Sequence, residues 1–542
     1  MNIINFFKET DAPRKRIMLM AALSGVANGM LLVIINVSVE QIVNDEVEIR
    51  LAFLYFLSFG LFMYTKRYAL TQATIAVENV IRHIRIRIAD KIRHSELRFI
   101  ETIGFSNMYE PLSKDTNLIA QTAIGLVMSG QSIIVLIFSS LYLAFISPLS
   151  LWITLTFITC AIILYLSYHK EISLELQQAS EQETKFFSTF EQIRSGFKEI
   201  KINHKKNNDV FQHLSTISKE TSDLKIAGGL RAVTTMMFGQ ISFYLLLAVL
   251  VFILPIFSPT EVDDLFKIIA TILFIIGPVG QFTDMMPMTA KADIAVTNLY
   301  RLEKILDKER EEPSEAEFVP PITKFEEIRL KDLNFHYRDA ANRALFSING
   351  INLTIQQGEL LFVVGGNGSG KSTLLKLLSG LYYPETGDVY IDNKRMDIFN
   401  YQNYRELFSI IFTDFHLFDR IYGIDEPDDT RINELLHLVE LDKKVQYRDG
   451  KFSNLDLSTG QKKRLAFITA VLEDKPIYIF DELAADQDPL FRKRFYEKIL
   501  PGLQEQGKTI IAVTHDDHYF HLADRIMKME YGKLIEFNGY FE

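Results

Sequence analysis

Six apolar stretches in the first half of the chain constrain its fold most strongly. A bilayer core of about 30 Å is crossed by roughly 20 apolar residues in a helix. A helix also satisfies its own backbone hydrogen bonds, which a membrane requires. The stretches therefore predict membrane-spanning helices, and the alternative interpretation is the buried helices of a large soluble core. They are residues 17–39, 51–64, 118–146, 149–168, 230–257 and a last stretch that begins after Asp264 and runs past Ile276.

The charge distribution predicts how these helices are oriented. Three basic residues, 14–16, precede the first stretch, and the segments 66–117 and 169–225 are rich in Lys and Arg. The segments 42–47 and 259–264 are acidic. Because loops on the cytoplasmic side carry an excess of Lys and Arg, we expect the N-terminus, both long loops and the C-terminal half to be cytoplasmic. Helical periodicity in the two long loops predicts helices that extend out of the membrane.

The composition agrees with a membrane protein and excludes some partners. With 542 residues, 48% of them hydrophobic, the chain is too long for one domain and unusually apolar for a soluble enzyme. A net charge of −10 argues against nucleic acid as a partner. The single cysteine, Cys160, excludes an intrachain disulfide and a cysteine metal cluster, and we expect it to be a small packing residue.

A glycine-rich turn in the second half predicts a phosphate-binding site. Residues 360–378, LLFVVGGNGSGKSTLLKLL, pass from an apolar strand through glycines into a helix. Glycines let backbone N–H groups converge on a phosphate, and the start of the helix favours an anion. Lys371 adds a positive charge for the β- and γ-phosphates, and Ser372 a hydroxyl for Mg²⁺. An ordinary strand–turn–helix corner is the alternative, but the combined spacing favours a nucleoside triphosphate.

Two later strands end in residues suited to hydrolysis. The apolar run 476–480 leads into Asp481 and Glu482. Asp481 is placed to hold Mg²⁺ through water, and Glu482 to polarise an attacking water. The run 510–513 leads to His515, a neutral donor and acceptor for the γ-phosphate. Each feature alone is common, but their order and spacing together indicate hydrolysis of a nucleoside triphosphate.

One more segment, LSTGQ at 457–461, opens a helix with small residues and a serine hydroxyl, again suited to phosphate. With it the motif set is complete, and the whole chain resembles the half-size ATP-binding cassette exporters. The resemblance implies six transmembrane helices with long cytoplasmic extensions, fused to an α/β P-loop nucleotide-binding domain. The implied domains are a transmembrane domain at 1–305, a linker at 306–327 and a nucleotide-binding domain at 328–542.

The resemblance also assigns roles residue by residue. Glu482 and His515 are the implied catalytic residues. The implied Mg²⁺ ligands are Ser372 and Asp481, with Thr413 or Asp414. Since the chain has one cassette, a second copy is implied, so that LSTGQ of one chain meets the glycine-rich loop of the other. The implied ATP-binding residues are Tyr337, Gly365, Gly366, Asn367, Gly368, Ser369, Gly370, Lys371, Ser372, Thr373, Ser458, Gly460, Gln461 and Asp488.

Three departures from the usual cassette sequence narrow the family. FTDFHLFD at 412–419, AADQDP at 484–489 and HDDHYF at 515–520 resemble the cyclic-peptide exporters. That subfamily includes transporters associated with pyoverdine and syringomycin precursors and with lasso-type peptides. The implied substrate is a cyclic or modified peptide, or a siderophore precursor, which is carried across the bacterial inner membrane. The implied transmembrane helices contact membrane lipid. No extension precedes the first apolar stretch, so we expect no leader-peptidase domain and a mature substrate.

Other functions of the same architecture remain open at this point. An importer, or a transporter of a lipid or siderophore, would have the same motifs. A regulator that binds ATP without turnover is a third alternative. Glu482 and His515 argue against the regulator, because proteins of that kind often lose a catalytic residue.

The segment at 412–414 generates the first prediction. Where most cassettes have a glutamine near the metal, this chain has Thr413 followed by Asp414. Threonine is shorter than glutamine and reaches less far, while aspartate offers a carboxylate to the metal. We expect only one of the exchanges Thr413→Ala and Asp414→Asn to reduce ATP hydrolysis, measured with the purified chain in lipid. Loss in Asp414→Asn alone identifies the aspartate, and unchanged rates in both variants exclude both residues.

Overall fold

The computed structural model describes residues 13–43, 48–257, 262–308, 322–338, 343–397 and 400–537. The chain divides into two compact units. The first comprises Met1–Arg93 and Glu101–Glu309, and the second comprises His94–Ile100 and Arg310–Glu542. Most of the predicted linker, 309–321, and parts of the two acidic segments lie outside the described residues.

Long helices make up the first unit. Within its described residues they are α1 Arg14–Val43, α2 Ile49–Arg93, α3 Thr116–Ile146, α4 Pro148–Ser195, α5 His204–Ala248 and α6 Val262–Lys308. Shorter helical segments between them in the chain are Leu97–Ile103, Phe105–Glu110, Pro111–Asp115, Phe197–Ile202, Val249–Ile253 and Leu254–Phe257.

Each predicted membrane stretch lies in a helix. Among the described residues, five helical segments are long and apolar enough to cross a membrane, and they contain the first, second, third, fifth and sixth stretches. The fourth stretch lies in α4, and its apolar segment among the residues whose side chains the structure describes is Pro148–Cys160. The expectation that Cys160 packs inside the protein is wrong, because its side chain is exposed on the outside of α4.

The second stretch continues as a helix far beyond its apolar part. Helix α2 has 45 residues, and its later half buries one stripe of aliphatic side chains. This stripe, Val77, Val80, Ile81, Ile84 and Ile88, repeats every three or four residues, as the helical periodicity predicted.

Helices α1 and α3 approach each other through glycines that the sequence reasoning did not use. A β-carbon added to Gly25 would meet the Ile134 side chain at 2.7 Å, and one added to Gly29 would meet Phe138 at 2.3 Å. Two glycines four residues apart lie on one helix face and allow close packing in a membrane. The Gly-x-x-x-Gly spacing in an apolar stretch was the available signal.

The described part of the second unit is built on two main sheets. A four-stranded antiparallel sheet has the order β2-β1-β4-β5, and a six-stranded sheet has the order β12-β11-β3-β10-β9-β6. The strands are β1 Glu327–Arg338, β2 Ala344–Gln356, β3 Leu360–Val364, β4 Thr386–Ile391, β5 Lys394–Arg395, β6 Phe408–Ile411, β7 Tyr447–Arg448, β8 Lys451–Phe452, β9 Ile477–Asp481, β10 Thr509–Val513, β11 Arg525–Glu530 and β12 Lys533–Glu536.

Helices cover the larger sheet, whose central strands are buried on both faces. Side chains of β3 alternate between two cores: Leu361 and Val363 join one, and Leu360 and Phe362 join the other. This explains why β3 reads as a continuous apolar run. The helical segments of this unit are α7 Lys371–Leu378, Tyr401–Arg405, Asp429–Leu438, α8 Thr459–Leu472, Pro489–Arg494, Phe495–Ile499, Leu500–Glu505 and Asp517–Leu522.

The contact between α1 and α3 generates a second prediction. We expect Gly29→Leu to destabilise the chain by about 1–3 kcal/mol, because its side chain would overlap the Phe138 ring in a packed interface. Gly60→Leu is the matched control, since a β-carbon there meets nothing within 4 Å. Thermal unfolding of both variants in the same detergent measures the effect, and equal midpoints would contradict the packing.

Candidate active site

The order of the parallel strands brings the sequence motifs to one edge of the sheet. Strand β10 pairs in parallel with β3 on one side and with β9 on the other, and β9 pairs with β6. The carboxyl ends of all four strands therefore lie side by side, the usual position of ligand sites in such sheets. The glycine-rich turn follows β3, Glu482 follows β9, and Thr514 with His515 follows β10.

The turn after β3 has the conformation that its glycines allow. Gly365 has a φ of 148°. A β-carbon there would meet the carbonyl oxygen of Met529 at 2.3 Å, so no other residue fits this close approach. The turn ends at Gly370, the N-cap residue of α7. The predicted strand, turn and helix are thus confirmed as local structure.

Polar groups inside this turn fit a phosphate. The Lys371 side chain is buried, and its ammonium donates to the carbonyls of Gly365 at 2.9 Å and Gly366 at 3.2 Å. The hydroxyl of Ser369 is buried and, among the described residues, has no hydrogen-bond partner. Lys371, a buried polar hydroxyl and the N-terminus of α7 together suit the oxygens of a nucleoside triphosphate.

Asp481 has the chemistry of a Mg²⁺ ligand. The Ser372 hydroxyl donates to its Oδ2 at 2.9 Å, and its buried Oδ1 has no partner among the described residues. Burial raises the pKa of the Asp481 carboxyl, while Ser372, Lys371 and the Thr413 backbone N–H act in the opposite direction. A carboxylate oxygen and a serine hydroxyl are hard oxygen donors, and Mg²⁺ takes one or two such groups together with phosphates and water.

Glu482 is held in an unusual conformation beside His515. Its φ is 53°, in the left-handed region, which costs a non-glycine residue roughly 1–2 kcal/mol. Its N–H donates to the Val513 carbonyl at 3.2 Å, which ties the residue to the end of β10. Its Oε1 lies 3.3 Å from His515 Nε2 and 3.8 Å from Lys371 Nζ. A carboxylate placed between an imidazole and an ammonium is suited to accept a proton from water.

Other predicted residues lie near this edge or on neighbouring elements. Thr413 and Asp414 follow β6, and both side chains are exposed. It is the Thr413 backbone N–H that faces the Asp481 carboxylate. Tyr337, at the end of β1, packs edge-on against Phe335, with ring centroids 5.2 Å apart.

The LSTGQ residues contact a different segment. Ser458 is the N-cap residue of α8, and its N–H donates to Gln461 at 3.2 Å. The Gly460 carbonyl accepts from Gln487 at 2.9 Å. In the part of the chain that the structure describes, these bonds do not involve the glycine-rich turn. Asp488 caps the helix Pro489–Arg494, and the Phe491 backbone N–H and the Arg464 guanidinium hold its pKa below the usual range.

Sequence reasoning missed several cations around residues 485–488. Lys463 and Arg464 on α8, and Arg492 on the next helical segment, donate to side chains or carbonyls of this segment. Lys463 and Arg464 lie three and four residues after Gly460, which places all three on one helix face. For Lys463 and Arg464 that spacing was the available sequence signal, since Asp486 and Gln487 are 23 positions away in the chain.

The environment of Asp481 generates a third prediction. The raised pKa means that ionised Asp481 destabilises the folded chain, a penalty absent at acid pH that grows as the pH rises above the ordinary range of a carboxyl. Asp481→Asn should therefore unfold at a higher temperature than the wild type at neutral pH, with a difference that shrinks on acidification. The same exchange should lower ATP hydrolysis by about 10²-fold, because a preorganised charged group is lost.

Asp425→Asn, an exposed exchange, is the control for both measurements. A neutral-pH midpoint for Asp481→Asn at or below that of the wild type would show that the buried carboxylate is not a source of instability.

Comparisons with known proteins show which family this chain resembles. The ABC transporter family model matches residues 348–485. The chain is 32% identical over 535 residues to ATP-binding protein SyrD of Pseudomonas syringae pv. syringae, covering 96% of this chain and 93% of that protein. It is 34% identical over 219 residues to energy-coupling factor transporter ATP-binding protein EcfA1 of Mycoplasma mobile, covering 38% of this chain and 78% of that protein.

The fold of the whole chain also matches a solved structure. A bacterial Atm1-family ABC exporter with ATP bound has a TM-score of 0.79 and 16% sequence identity, covering 96% of this chain and 94% of that one. The exporter fold thus extends from the apolar helices to the end of the cassette. The similarity to SyrD along nearly the full length shows that this chain belongs to the half-size ABC exporters.

Proposed function

We propose that this chain exports a peptide, cyclic or otherwise modified, or a siderophore precursor, as a Mg²⁺- and ATP-dependent homodimer of the bacterial inner membrane. The observation that best supports ATP hydrolysis is that four side chains lie at one edge of the sheet: Lys371, Asp481, Glu482 and His515. Hydrolysis needs an acceptor for the proton of water, a cation for the phosphate charge and a metal-binding carboxylate, and all are present.

The residues divide this work between them. Glu482 accepts the proton of the attacking water, and His515, 3.3 Å away, orients the carboxylate and contacts the γ-phosphate. Lys371 stabilises charge on the phosphates, and Ser372 and Asp481 are the residues that would hold Mg²⁺, which would supply positive charge to the phosphate oxygens. This arrangement favours an ATPase over a regulator that binds ATP without turnover, since both residues that turnover requires are present and face each other.

A second copy of the chain completes the proposed site. The bonds of the LSTGQ residues run to Gln487 and within α8, where the Ser458 side chain accepts from the Gln461 backbone N–H. The exposed Ser458 hydroxyl at the start of α8 still has its own O–H to donate to the ATP of the other copy. The segment His94–Ile100 belongs to the nucleotide-binding unit, although α2 precedes it directly in the chain. Its Arg98 guanidinium lies 5.4 Å from the centre of the Phe335 ring.

The substrate class is supported by the departures from the usual cassette sequence. FTDFHLFD, AADQDP and HDDHYF together resemble the corresponding segments of the cyclic-peptide exporters. The proposed topology places the N-terminus and the cassette in the cytoplasm and the helices in contact with membrane lipid. An importer, or a transporter of a lipid or siderophore, is the second candidate, since its motifs would be the same.

Exchange of Glu482 tests this function. Glu482→Gln should lower ATP hydrolysis in lipid vesicles by about 10²–10⁴-fold, the usual contribution of a general base, while ATP binding is retained. With hydrolysis blocked, ATP and Mg²⁺ should also hold two copies together, which crosslinking or mass photometry detects. Glu505→Gln, an exposed exchange in the same domain, is the matched control.

The cargo is then identified by an untargeted comparison of peptides in medium and cells. Cells with Glu482→Gln should retain peptides that cells with the wild type or Glu505→Gln release. If cells with Glu482→Gln lose uptake of a compound instead of its release, the chain is an importer. If they accumulate a lipid, the cargo is a lipid and not a peptide. A wild type that binds but never hydrolyses ATP would establish the regulator.

A further inference from the structure

The segment Ala485–Asp488 is bonded to the helix that LSTGQ opens. Lys463 of α8 is buried, and its ammonium donates to the Glu482 carbonyl at 2.7 Å and lies 2.7 Å from Asp486 Oδ2. One side chain thus joins three elements: α8, the catalytic glutamate at the end of β9, and the segment that follows it.

A second link lies beside the first. Gln487, also buried, donates through Nε2 to the Gly460 carbonyl at 2.9 Å, and its Oε1 accepts from Arg464 Nε at 2.9 Å. Arg464 also donates to the Asp488 carboxylate. Asp486 and Gln487 thus both supply partners for α8.

The Lys463 contacts bear directly on the conformation of Glu482. A left-handed residue is kept in place only by surrounding contacts. Here the Val513 carbonyl accepts from its N–H at 3.2 Å, and Lys463 binds its carbonyl. The peptide group after Glu482 is therefore held on the side of α8, and this conformation directs the side chain toward His515 and Lys371.

The charge of Lys463 requires Asp486. A buried ammonium with a single neutral partner is costly, and the Asp486 carboxylate, half exposed, balances it. Removal of the carboxylate should loosen the ammonium, and removal of the ammonium should release the carboxylate to water and leave the Glu482 carbonyl without this donor.

We propose that Lys463 is a positioning residue for ATP hydrolysis: it fixes the orientation of Glu482 and links it, through Asp486, to the helix that begins at LSTGQ. This inference rests on the role proposed above for Glu482 and on the proposed homodimer. Helix α8, which contacts the ATP of the second copy in the proposed homodimer, is then also bonded to Glu482 of its own chain. A displacement of α8 when the two copies come together would therefore affect both ATP sites.

Exchange of Lys463 tests the proposal in the full chain in lipid. Lys463→Met keeps the length of the side chain and removes its charge. We expect kcat for ATP to fall by about 10- to 100-fold, since misplacement of a catalytic group by about 1 Å costs on the order of 10²-fold. KM and the Kd for ATP should change less than twofold by the same reasoning, because Lys371 and the glycine-rich turn are untouched. Lys463→Arg, which keeps the charge, should restore part of kcat.

Three further variants separate positioning from folding. Lys462→Met, the exposed neighbour on α8, should leave kcat unchanged. Asp486→Asn should lower kcat in the same direction, and the double variant Lys463→Met/Asp486→Asn should be no slower than Lys463→Met alone, because the two residues act as one unit. Should Lys463→Met not fold, Asp486→Asn and Lys463→Arg decide the question, since both keep the buried site polar.

The outcomes distinguish this inference from the proposed function. Hydrolysis by the wild type with unchanged kcat in Lys463→Met or Asp486→Asn overturns the role of Lys463 and leaves the function standing. The role of Lys463 is also overturned if Lys463→Met affects KM and kcat equally and Lys463→Arg shows no recovery, because a general structural role of Lys463 would give this result. A wild type without hydrolysis overturns both proposals.

Discussion

The parallel pairing of β3, β10 and β9 is the interaction on which the rest of the site depends. Each strand contributes its last residues to the same edge, and hydrogen bonds such as that from the Thr514 N–H to the Val363 carbonyl at 3.2 Å fix their register. Because side chains alternate along a strand, a shift of one residue would turn Asp481 away from Ser372 and exchange the two cores. The distances between Lys371, Glu482 and His515 are thus a consequence of apolar packing several residues away from them.

Buried charged side chains are a second feature of this domain. Lys371, Lys463 and Asp481 are all nearly inaccessible, and each is balanced by carbonyls, hydroxyls or opposite charges on a neighbouring element. Replacement of such pairs by apolar residues often stabilises a protein. Their presence here is therefore better explained by ATP chemistry and by the placement of Glu482 than by stability. The Asp481 oxygen that has no hydrogen-bond partner among the described residues supports this view.

The local structure around the glycine-rich turn could be predicted from sequence, because the apolar run, the glycines and the helix are contiguous. Strand β9 likewise ends at Asp481, as the apolar run before it indicated. The contacts of Lys463 with Asp486 could not be predicted in this way, since 23 positions separate them and only the folded sheet brings them together. The Gly25 and Gly29 contacts depend in the same way on which side of α3 faces α1. The roles of the individual site residues remain predictions that the proposed variants test.

The length of α2 has a mechanical consequence. As a straight rod of 45 residues it is about 68 Å long, and a rotation of about 5° at one end would displace the other by about 6 Å. The aliphatic side chains along its later half are buried against neighbouring helices. In a helix of this length, a rotation of a few degrees at one end is therefore enough to displace the other end by several ångströms, without any unwinding of the helix.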